Sequence, residues 1–403
     1  MSMARPALQR RTLSARATTR YAVVTAISFS ATSSAPTPLY HVYQQEMGLS
    51  ALTVTLVFAS YAFTMVATFL TVARLSDYVG RRPMILAALV LNAVSLGLFI
   101  TAGTAAQLIL ARLIQGVAIS IGMATLGATI LDTDRATGPI YNSITAFLGL
   151  TAGSLLGGML VAWAPLPEQL IFLVLLAVTA LEALLLLLFV PETTTGKPGA
   201  RRVLIPYVNV PAALVPVMVR LTPLNTSTWA LGGFYLSLMP VLVAVATGIQ
   251  SIFVGAAVVS VLMATAATTV LAFRHVAPGR LLRISSLSLA LGIAVTLAGV
   301  HLHAASLMLL GTVISGLGFG SGYSGNLRTL LPLAEEHERA GLLAAYFVES
   351  YLSFAIPAIL AGLAVPVIGL VATGEAYGAV LIVLALLSAR IGARRPAARL
   401  ARA

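Results

Sequence analysis

Three ionisable side chains stand inside long apolar stretches of the sequence, and with them this chain could do chemistry. Arg112 is the basic one; a guanidinium group at the centre of a bilayer costs at least ~2.5–3.5 kcal/mol, so it should face protein or a water-filled cavity. Glu182 and Glu349 are the acidic ones, and burial keeps a carboxyl group protonated near neutral pH, as a proton carrier requires. Together with Gln115, one helical turn from Arg112, they are the candidates for proton coupling.

Each of these residues also has a structural interpretation. The arginine could belong to a buried charge pair that only holds helices together. Glu349 could pair with Arg328 or Arg339, and it could also serve as a substrate site. Thr179, three residues before Glu182, could satisfy that carboxyl group within its own helix.

Two corresponding stretches, near residues 22–42 and 225–247, are rich in hydroxyl and aromatic side chains. Hydroxyl groups can bond back to their own helix, so they could be neutral filler. Because both stretches combine them with Tyr or Trp, we interpret them as the lining of a substrate cavity. The predicted cavity residues are Ser33, Ser34, Thr37, Tyr40, Asn225, Trp229 and Tyr235.

The composition requires a membrane for these elements. The chain has 403 residues, of which 59% are apolar and 9% are charged. An ordinary soluble domain has roughly 45–50% apolar and 25% charged residues. These values exclude a soluble globular protein, a disordered chain and a nucleic-acid binder, and they favour a polytopic membrane protein. The sequence has no Cys, and its five His show no metal-ligand spacing, so we expect no metal and no cofactor.

Twelve apolar runs are long enough to span a bilayer, and lipid offers no partner to a bare backbone, so each should be helical. Their approximate limits are 22–42, 51–72, 83–103, 105–127, 139–163, 169–190, 226–247, 249–273, 281–300, 305–327, 341–364 and 369–389. The predicted fold is therefore an all-α membrane protein with twelve transmembrane helices.

The basic residues predict the orientation. Every Lys and Arg except Arg112 falls on one side of this topology, which the positive-inside rule makes cytoplasmic, as are both termini. The net charge of +12 therefore reflects loops rather than nucleic-acid binding. An Arg- and Ala-rich composition indicates a bacterial cell membrane. The predicted parts are a cytoplasmic tail (1–20), a six-helix bundle (21–190), a cytoplasmic linker (191–224), a second six-helix bundle (225–389) and a basic cytoplasmic tail (390–403).

An internal repeat supports two matching halves. A shift of 200 residues aligns the fourth run with the tenth and superimposes Leu110, Ile114, Gly116 and Gly122 on Leu310, Ile314, Gly316 and Gly322. Two six-helix repeats are a transporter architecture, with the substrate site between the halves. The repeat places Thr312 opposite Arg112, so the buried charge belongs to the first half alone.

Three motifs resemble those of the major facilitator superfamily. Residues 73–82 read Ala-Arg-Leu-Ser-Asp-Tyr-Val-Gly-Arg-Arg, which is similar to the signature loop of that family. Arg112, Gln115 and Gly116 match its Arg-x-x-Gln-Gly motif. The fifth run resembles its antiporter motif, with Ser154 in place of Pro. The resemblance implies a drug/proton antiporter-like transporter with an arginine linked to proton coupling.

Within this resemblance, two further groups receive roles. The charged loop should latch the two halves on the cytoplasmic side; the latch residues are Asp77, Gly80, Arg81, Arg82, Asp132 and Asp134. Dense glycine in the fifth run should let helices approach closely and slide; these residues are Gly149, Gly153, Gly157 and Gly158.

The sequence thus predicts a secondary transporter that works by alternating access. The first hypothesis is proton-coupled efflux of a small amphiphilic compound, and the alternative is proton-coupled uptake of a small metabolite. A membrane-embedded sensor or enzyme is a remote alternative, because the sequence offers no catalytic cluster and no phosphate-binding loop. The expected partners are a small-molecule substrate, protons and the lipid bilayer, with no nucleic acid, and the expected state is a monomer.

Overall fold

The computed structural model describes residues 12–72, 74–249 and 251–393. Most of both predicted tails therefore lies outside the described residues. Twelve long helices form the protein, and the described residues contain no strand. They are α1 (Ala15–Ser34), α2 (Ala51–Thr71), α3 (Arg81–Ile100), α4 (Ala105–Thr133), α5 (Gly138–Trp163), α6 (Leu170–Phe189), α7 (Val215–Ser237), α8 (Ile252–Ala272), α9 (Pro278–His301), α10 (Ala305–Leu330), α11 (Arg339–Ile368) and α12 (Leu370–Ala393).

The first helix of each half is broken. α1 ends at Ser34 and continues, after a turn, as the helix Tyr40–Met47. Pro36 and Pro38 lie in this turn, and proline removes the backbone donor that would continue the ladder. α7 bends by 65° and continues as Met239–Thr247. The remaining short helices are Ser76–Val79, Ala200–Val203 and the 3₁₀ turn Leu331–Leu333.

Among the described residues, ten helices are long and apolar enough to cross a membrane, and the bent α7 pair is an eleventh span. α1 lies below that hydropathy limit because of its many hydroxyl groups. It nevertheless packs lengthwise within the first half: Tyr21 donates to the carbonyl of Glu182 in α6 (3.0 Å), and Ser34 donates to the carbonyl of Leu150 in α5 (2.9 Å). The predicted all-helical membrane fold is confirmed.

The two halves, α1–α6 and α7–α12, meet along two helix pairs. In the first pair, α5 with α8, the Ser154 hydroxyl donates to the Ala256 carbonyl (3.2 Å). In the second, α2 with α11, the rings of Phe58 and Phe354 lie 4.8 Å apart. α7 already begins at Val215, so the last ten residues of the predicted linker are helical.

One end of the bundle holds the basic loops, and we call it the basic end. The chain entering α1 meets the end of α6 there, since the Leu13 amide donates to the Phe189 carbonyl (2.9 Å). Thr19 in α1 bonds Thr133 at the end of α4 (2.8 Å). The loops that follow α2, α4, α6, α8 and α10 lie at this end, as alternating helix directions require, and the other end is called the opposite end.

Candidate functional site

A cavity of about 510 Å³ lies between the two halves. It is bounded by residues of α1, α2, α4, α5, α7, α8, α10 and α11, and it extends from the middle of the bundle toward the basic end. Ten aromatic side chains line it: Phe58, Tyr61, Phe69, Phe147, Trp229, Phe319, Tyr323, Phe347, Tyr351 and Phe354. No Asp, Glu, Lys or Arg is among the described residues that line it, so its walls are apolar with isolated polar groups.

The aromatic side chains pack against one another across the boundary between the halves. Phe147 of α5 meets Tyr323 of α10 edge to face, with ring centroids 5.2 Å apart. Within the second half, the ring centroids of Trp229 of α7 and Tyr351 of α11 lie 5.1 Å apart. Such pairs stabilise the wall beyond the area they bury. The polar contribution to the lining comes from small side chains: Ser30, Ser33, Ser120, Asn142 and Thr145.

The halves are closed toward the opposite end. Trp163 and Phe253 lie 4.8 Å apart by ring centroid, and they join the last turn of α5 to the first turn of α8. One turn deeper, Gly158 packs on Ala256 so closely that a Cβ atom added to the glycine would overlap the alanine methyl group. The cavity in this conformation therefore faces the basic end.

The seven predicted cavity residues divide into two groups. Ser33 and Trp229 line the cavity. The other five lie buried within one half and do not line it: Ser34, Thr37, Tyr40, Asn225 and Tyr235.

Most of the aromatic lining escaped the sequence analysis. A signal exists: Phe58, Tyr61 and Phe69 follow helical spacing on α2, and Phe347 and Tyr351 do so on α11. The same spacing is typical of residues packed in a core. Only the packing of the halves decides which of these stripes borders a cavity.

Arg112 is buried inside the first half rather than in the cavity, with 1% of its surface exposed. Its guanidinium group donates to the Ser33 carbonyl (2.8 Å), to Gln115 Oε1 (2.7 Å) and, through Nε, to the Tyr40 hydroxyl (3.0 Å). Gln115 in turn donates to the Thr32 carbonyl (2.9 Å). No carboxylate among the described residues pairs with the guanidinium group.

The break in α1 explains these contacts. In an α-helix the carbonyls of Thr32 and Ser33 accept from the amides four residues later. Pro36 has no amide hydrogen, and the Thr37 amide bonds the Ser34 carbonyl instead (3.0 Å). Arg112 and Gln115 supply the missing donors, and a cation is favoured at the negative end of a helix. Ser33 also lines the cavity. Arg112 is therefore connected to the cavity only indirectly, through its hydrogen bond to the Ser33 carbonyl.

Glu349 lies half-buried in α11, between the cavity-lining Phe347 and Tyr351. The Asn225 amide donates to its Oε1 (3.2 Å). Arg328 and Arg339, its predicted alternative partners, bond backbone carbonyls instead. This carboxyl group therefore belongs to a polar cluster in the second half and forms no ion pair among the described residues.

Glu182 is buried on the face of α6 that meets α1. Thr179 does not satisfy it, because the Thr179 hydroxyl accepts a hydrogen bond from Asn92 (3.0 Å). Both carboxyl oxygens lack a hydrogen-bond partner among the described residues. The structure thus separates the two predicted proton carriers: one lies beside the cavity and the other behind α1.

The predicted latch residues meet at the basic end. Arg81 pairs with Asp77 (2.5 Å) and with Asp132 at the end of α4 (3.1 Å). Glu192, which follows α6, accepts from the backbone amides of Arg81 (2.8 Å) and Arg82 (3.0 Å). Glu192 lies in the segment Pro191-Glu192-Thr193, and nothing in that local sequence indicates these partners.

Two latch residues bond elsewhere. The Arg82 guanidinium group donates to the carbonyls of Leu186 (3.2 Å) and Leu187 (3.1 Å) at the end of α6. Asp134 accepts from the hydroxyl and amide of Thr137, and these hydrogen bonds lower the pKa of its carboxyl group. Every contact of this cluster lies within the first half, so a latch between the halves remains a prediction for another conformation.

Glycine is required at the centre of this cluster. Gly80 has a φ angle of 110°, which side-chain-bearing residues rarely adopt, and a Cβ atom there would overlap the Glu192 carboxylate. Four glycines are predicted to mediate helix packing. Gly149 and Gly153 lie against the backbone of α1, Gly157 lies against Ala35 in the turn that follows α1, and Gly158 lies against α8.

Comparison with known proteins decides the family. A sequence model of the Major Facilitator Superfamily matches residues 22–356. The chain belongs to the major facilitator superfamily. It is accordingly a multi-pass membrane transporter and not an enzyme.

Solved structures share the fold of this major facilitator protein at low sequence identity. The nucleoside transporter NupG is 13% identical, with a TM-score of 0.70, covering 94% of this chain and 100% of that chain. A single-residue variant of NupG is 12% identical with a TM-score of 0.72 (93% and 99% covered). The human organic anion transporter MFSD10 (TETRAN) is 16% identical with a TM-score of 0.67 (93% and 99% covered).

Proposed function

We propose that this major facilitator protein exports a small, uncharged amphiphilic compound with an aromatic or other flat apolar surface, driven by protons. The observation that carries the proposal is the cavity: of the residues that the structure describes, ten aromatic side chains and no charged side chain line about 510 Å³. A volume in the range of about 300–1,000 Å³ suits a small molecule. Flat apolar surfaces stack well on such walls.

The absence of charge in this lining, among the described residues, disfavours ionic substrates. An ion moved from water into an apolar site loses its hydration, and only a partner of opposite charge compensates for that loss. Arg112, the buried basic group of the first half, is already engaged by the broken end of α1 behind Ser33. An organic anion, the substrate named for MFSD10, would find no cation among the described residues that line this cavity.

Protons are the proposed driving ion, and Glu349 is the proposed carrier. Its carboxyl group lies between two cavity-lining side chains and accepts one hydrogen bond from Asn225. Protonation would neutralise the Glu349 carboxylate beside the cavity. The proton would be released when this carboxyl group becomes exposed to water. We further propose that the basic end faces the bacterial cytoplasm, as the positive-inside rule favours, and that the protein works as a monomer.

Uptake of a small metabolite is the second candidate. The fold resemblance to NupG supports it, and an uncharged compound with an aromatic base and a few hydroxyl groups would also suit an aromatic cavity with serine and asparagine in its wall. The two candidates differ in direction and in the polarity of the substrate rather than in its charge.

A flux assay in proteoliposomes with an imposed pH gradient tests the proposal. The panel pairs neutral aromatic amphiphiles with derivatives of the same size that carry one carboxylate, and it includes uncharged nucleosides. We expect the neutral amphiphiles to move out of the compartment that the basic end faces, faster with the gradient than without it. Preferential flux of the carboxylate derivatives would overturn the substrate class, and gradient-driven nucleoside accumulation would favour uptake.

A further inference from the structure

One face of α1 carries a continuous stripe of hydroxyl groups that points away from the cavity. The residues follow spacings of three and four, which places them on one side of the helix. All are buried: Thr18, Tyr21, Thr25, Ser28 and Thr32. The stripe begins one turn inside the basic end, passes Glu182 of α6 through the Tyr21 bond to its carbonyl, and ends where the Thr32 hydroxyl donates to Asn92 of α3 (3.2 Å).

The middle of this stripe has unused hydrogen-bonding groups. Serine and threonine inside helices usually donate to a carbonyl one turn earlier, as Thr19 does here (3.1 Å). The hydroxyl oxygens of Thr18, Thr25 and Ser28 have no partner among the described residues, and neither carboxyl oxygen of Glu182 has one. Five polar oxygen atoms along one buried interface therefore make no hydrogen bond through their side chains.

Among the described residues, no cation pairs with the Glu182 carboxyl group. Only 5% of its surface is exposed. α1 presents Tyr21 to it, the other charged residues of α1 are the exposed Arg16 and Arg20 near the basic end, and α6 has no other titratable side chain. α5 carries only Tyr141 in its first turn, and α3 carries only the two arginines of its first turn, which bond other groups at the basic end. An isolated carboxylate in such a site is costly, whereas a carboxylic acid is neutral and gains a donor.

We propose that Glu182 is a proton-binding site of its own, separate from the substrate cavity, on the buried face that α6 shares with α1. A hydronium ion gives up a proton, an O–H bond forms on a carboxyl oxygen of Glu182, and water remains behind. Release of the proton to water reverses this step.

The site also contacts the helix that shapes the cavity. The stripe ends at Thr32, whose carbonyl accepts from Gln115 at the break in α1. Protonation at Glu182 thus changes the charge next to the helix that Arg112 holds and that presents Ser33 to the cavity. This inference goes beyond the proposed function, because a proton site on α6 stands whatever ion or substrate drives transport.

Infrared difference spectroscopy on the full-length protein in nanodiscs tests the site without any transport. We expect the C=O stretching region of protonated carboxyl groups at neutral pH to contain one component that is present in wild type and in the control Glu349→Gln, and absent in Glu182→Gln. Glutamine has the shape of the neutral acid, so the melting temperature of Glu182→Gln should match wild type. A spectrum of Glu182→Gln that equals the wild-type spectrum in this region, or a Glu182 component that sodium ions remove at constant pH, would overturn the proposal.

Discussion

The two halves share a fold, but they place their buried charge differently. In the first half, Arg112 of α4 holds the broken end of α1 with hydrogen bonds to a carbonyl and to Tyr40. At the repeat position in the second half, the Thr312 hydroxyl meets the Tyr235 hydroxyl (2.9 Å), with no charge. The carboxyl groups differ as well, because Glu349 is hydrogen-bonded beside the cavity and Glu182 is sealed behind α1.

This difference shows that the fold does not require the charge. α7 breaks without a guanidinium group at its end, so a broken first helix can be built from neutral residues. The first half therefore bears the free-energy cost of burying the Arg112 guanidinium group, and the second half has no such cost at the corresponding position. We infer that the first half is specialised for holding α1 and the second for an accessible carboxyl group.

The largest expected effect comes from removing the charge on one side of this comparison. Arg112→Ala leaves the Ser33 carbonyl, the Tyr40 hydroxyl and the Gln115 side chain without their donor. Since a buried unsatisfied group costs about 1–3 kcal/mol, we expect the free energy of unfolding to fall by about 2–5 kcal/mol and transport to be lost. Thermal unfolding in detergent and proteoliposome flux measure both quantities.

Thr312→Ala is the matched control for this change, because it alters the repeat-related residue. It removes two neutral hydrogen bonds, one accepted from the Tyr235 hydroxyl and one donated to the Met308 carbonyl, each worth about 0.5–1.5 kcal/mol. If both variants lost the same stability, the two halves would depend equally on this position, and the contrast drawn above would be wrong.

The second prediction concerns the carboxyl group of the second half. We expect Glu349→Gln to fold normally, since the glutamine carbonyl can still accept from Asn225, and to transport at a rate that no longer responds to the pH gradient. Flux measured with and without the gradient checks this. Glu336→Gln changes an exposed acid at the basic end and should keep the wild-type response. A full gradient response in Glu349→Gln would remove the proton role from this residue.

The smallest expected effect lies at the basic end, where the halves differ again. Hydrogen bonds from Thr137 lower the pKa of the Asp134 carboxyl group in the folded protein. Its ionised form therefore stabilises the turn after α4 above the ordinary carboxyl pKa, and this stabilisation is lost as the pH falls through the lowered value. Asp134→Ala should melt slightly below wild type at neutral pH, and the difference should vanish in strong acid.

The position 200 residues later is Ala334, whose side chain has no carboxylate; in that turn Glu338 accepts from the Glu335 amide instead (3.2 Å). Ala334→Ser serves as the control, and its melting temperature relative to wild type should not change with pH. A difference between Asp134→Ala and wild type that persists unchanged into strong acid would show that the carboxylate charge is not what stabilises this turn.

The sequence was sufficient for the fold and insufficient for the cavity. A long apolar run in a bilayer has almost no alternative to the helix, and the positions of the basic residues fix its orientation, so the spans could be predicted. Arg112 and Gln115 were identified as a pair, but their partners depend on Pro36 breaking α1 at the depth of α4, which spacing alone does not reveal. Helical aromatic stripes such as Phe58, Tyr61 and Phe69 look the same whether they face a core or a cavity.

The cluster at the basic end shows the same limit. Asp77, Arg81 and Asp132 could be grouped from their motif and their loop positions. Glu192 could not be assigned to them, because it is more than 100 residues away in the chain, and only the return of α6 to the start of α3 brings it there. Contacts between distant segments depend on the packing order of the helices, which local pattern does not encode.

The hydrogen bonds of Glu192 to the start of α3 also affect the segment that connects the two halves. By bonding two amides there, this carboxylate fastens the beginning of the connecting chain to the first half. The second half holds this chain from Asn209 onward, because the Asn209 amide donates to the Gly341 carbonyl (3.4 Å). The segment between the two attachment points is then residues 195–208. Residues inserted into that segment would lengthen the connection between the halves. The same insertion before Glu192 would instead displace its carboxylate from the amides of Arg81 and Arg82.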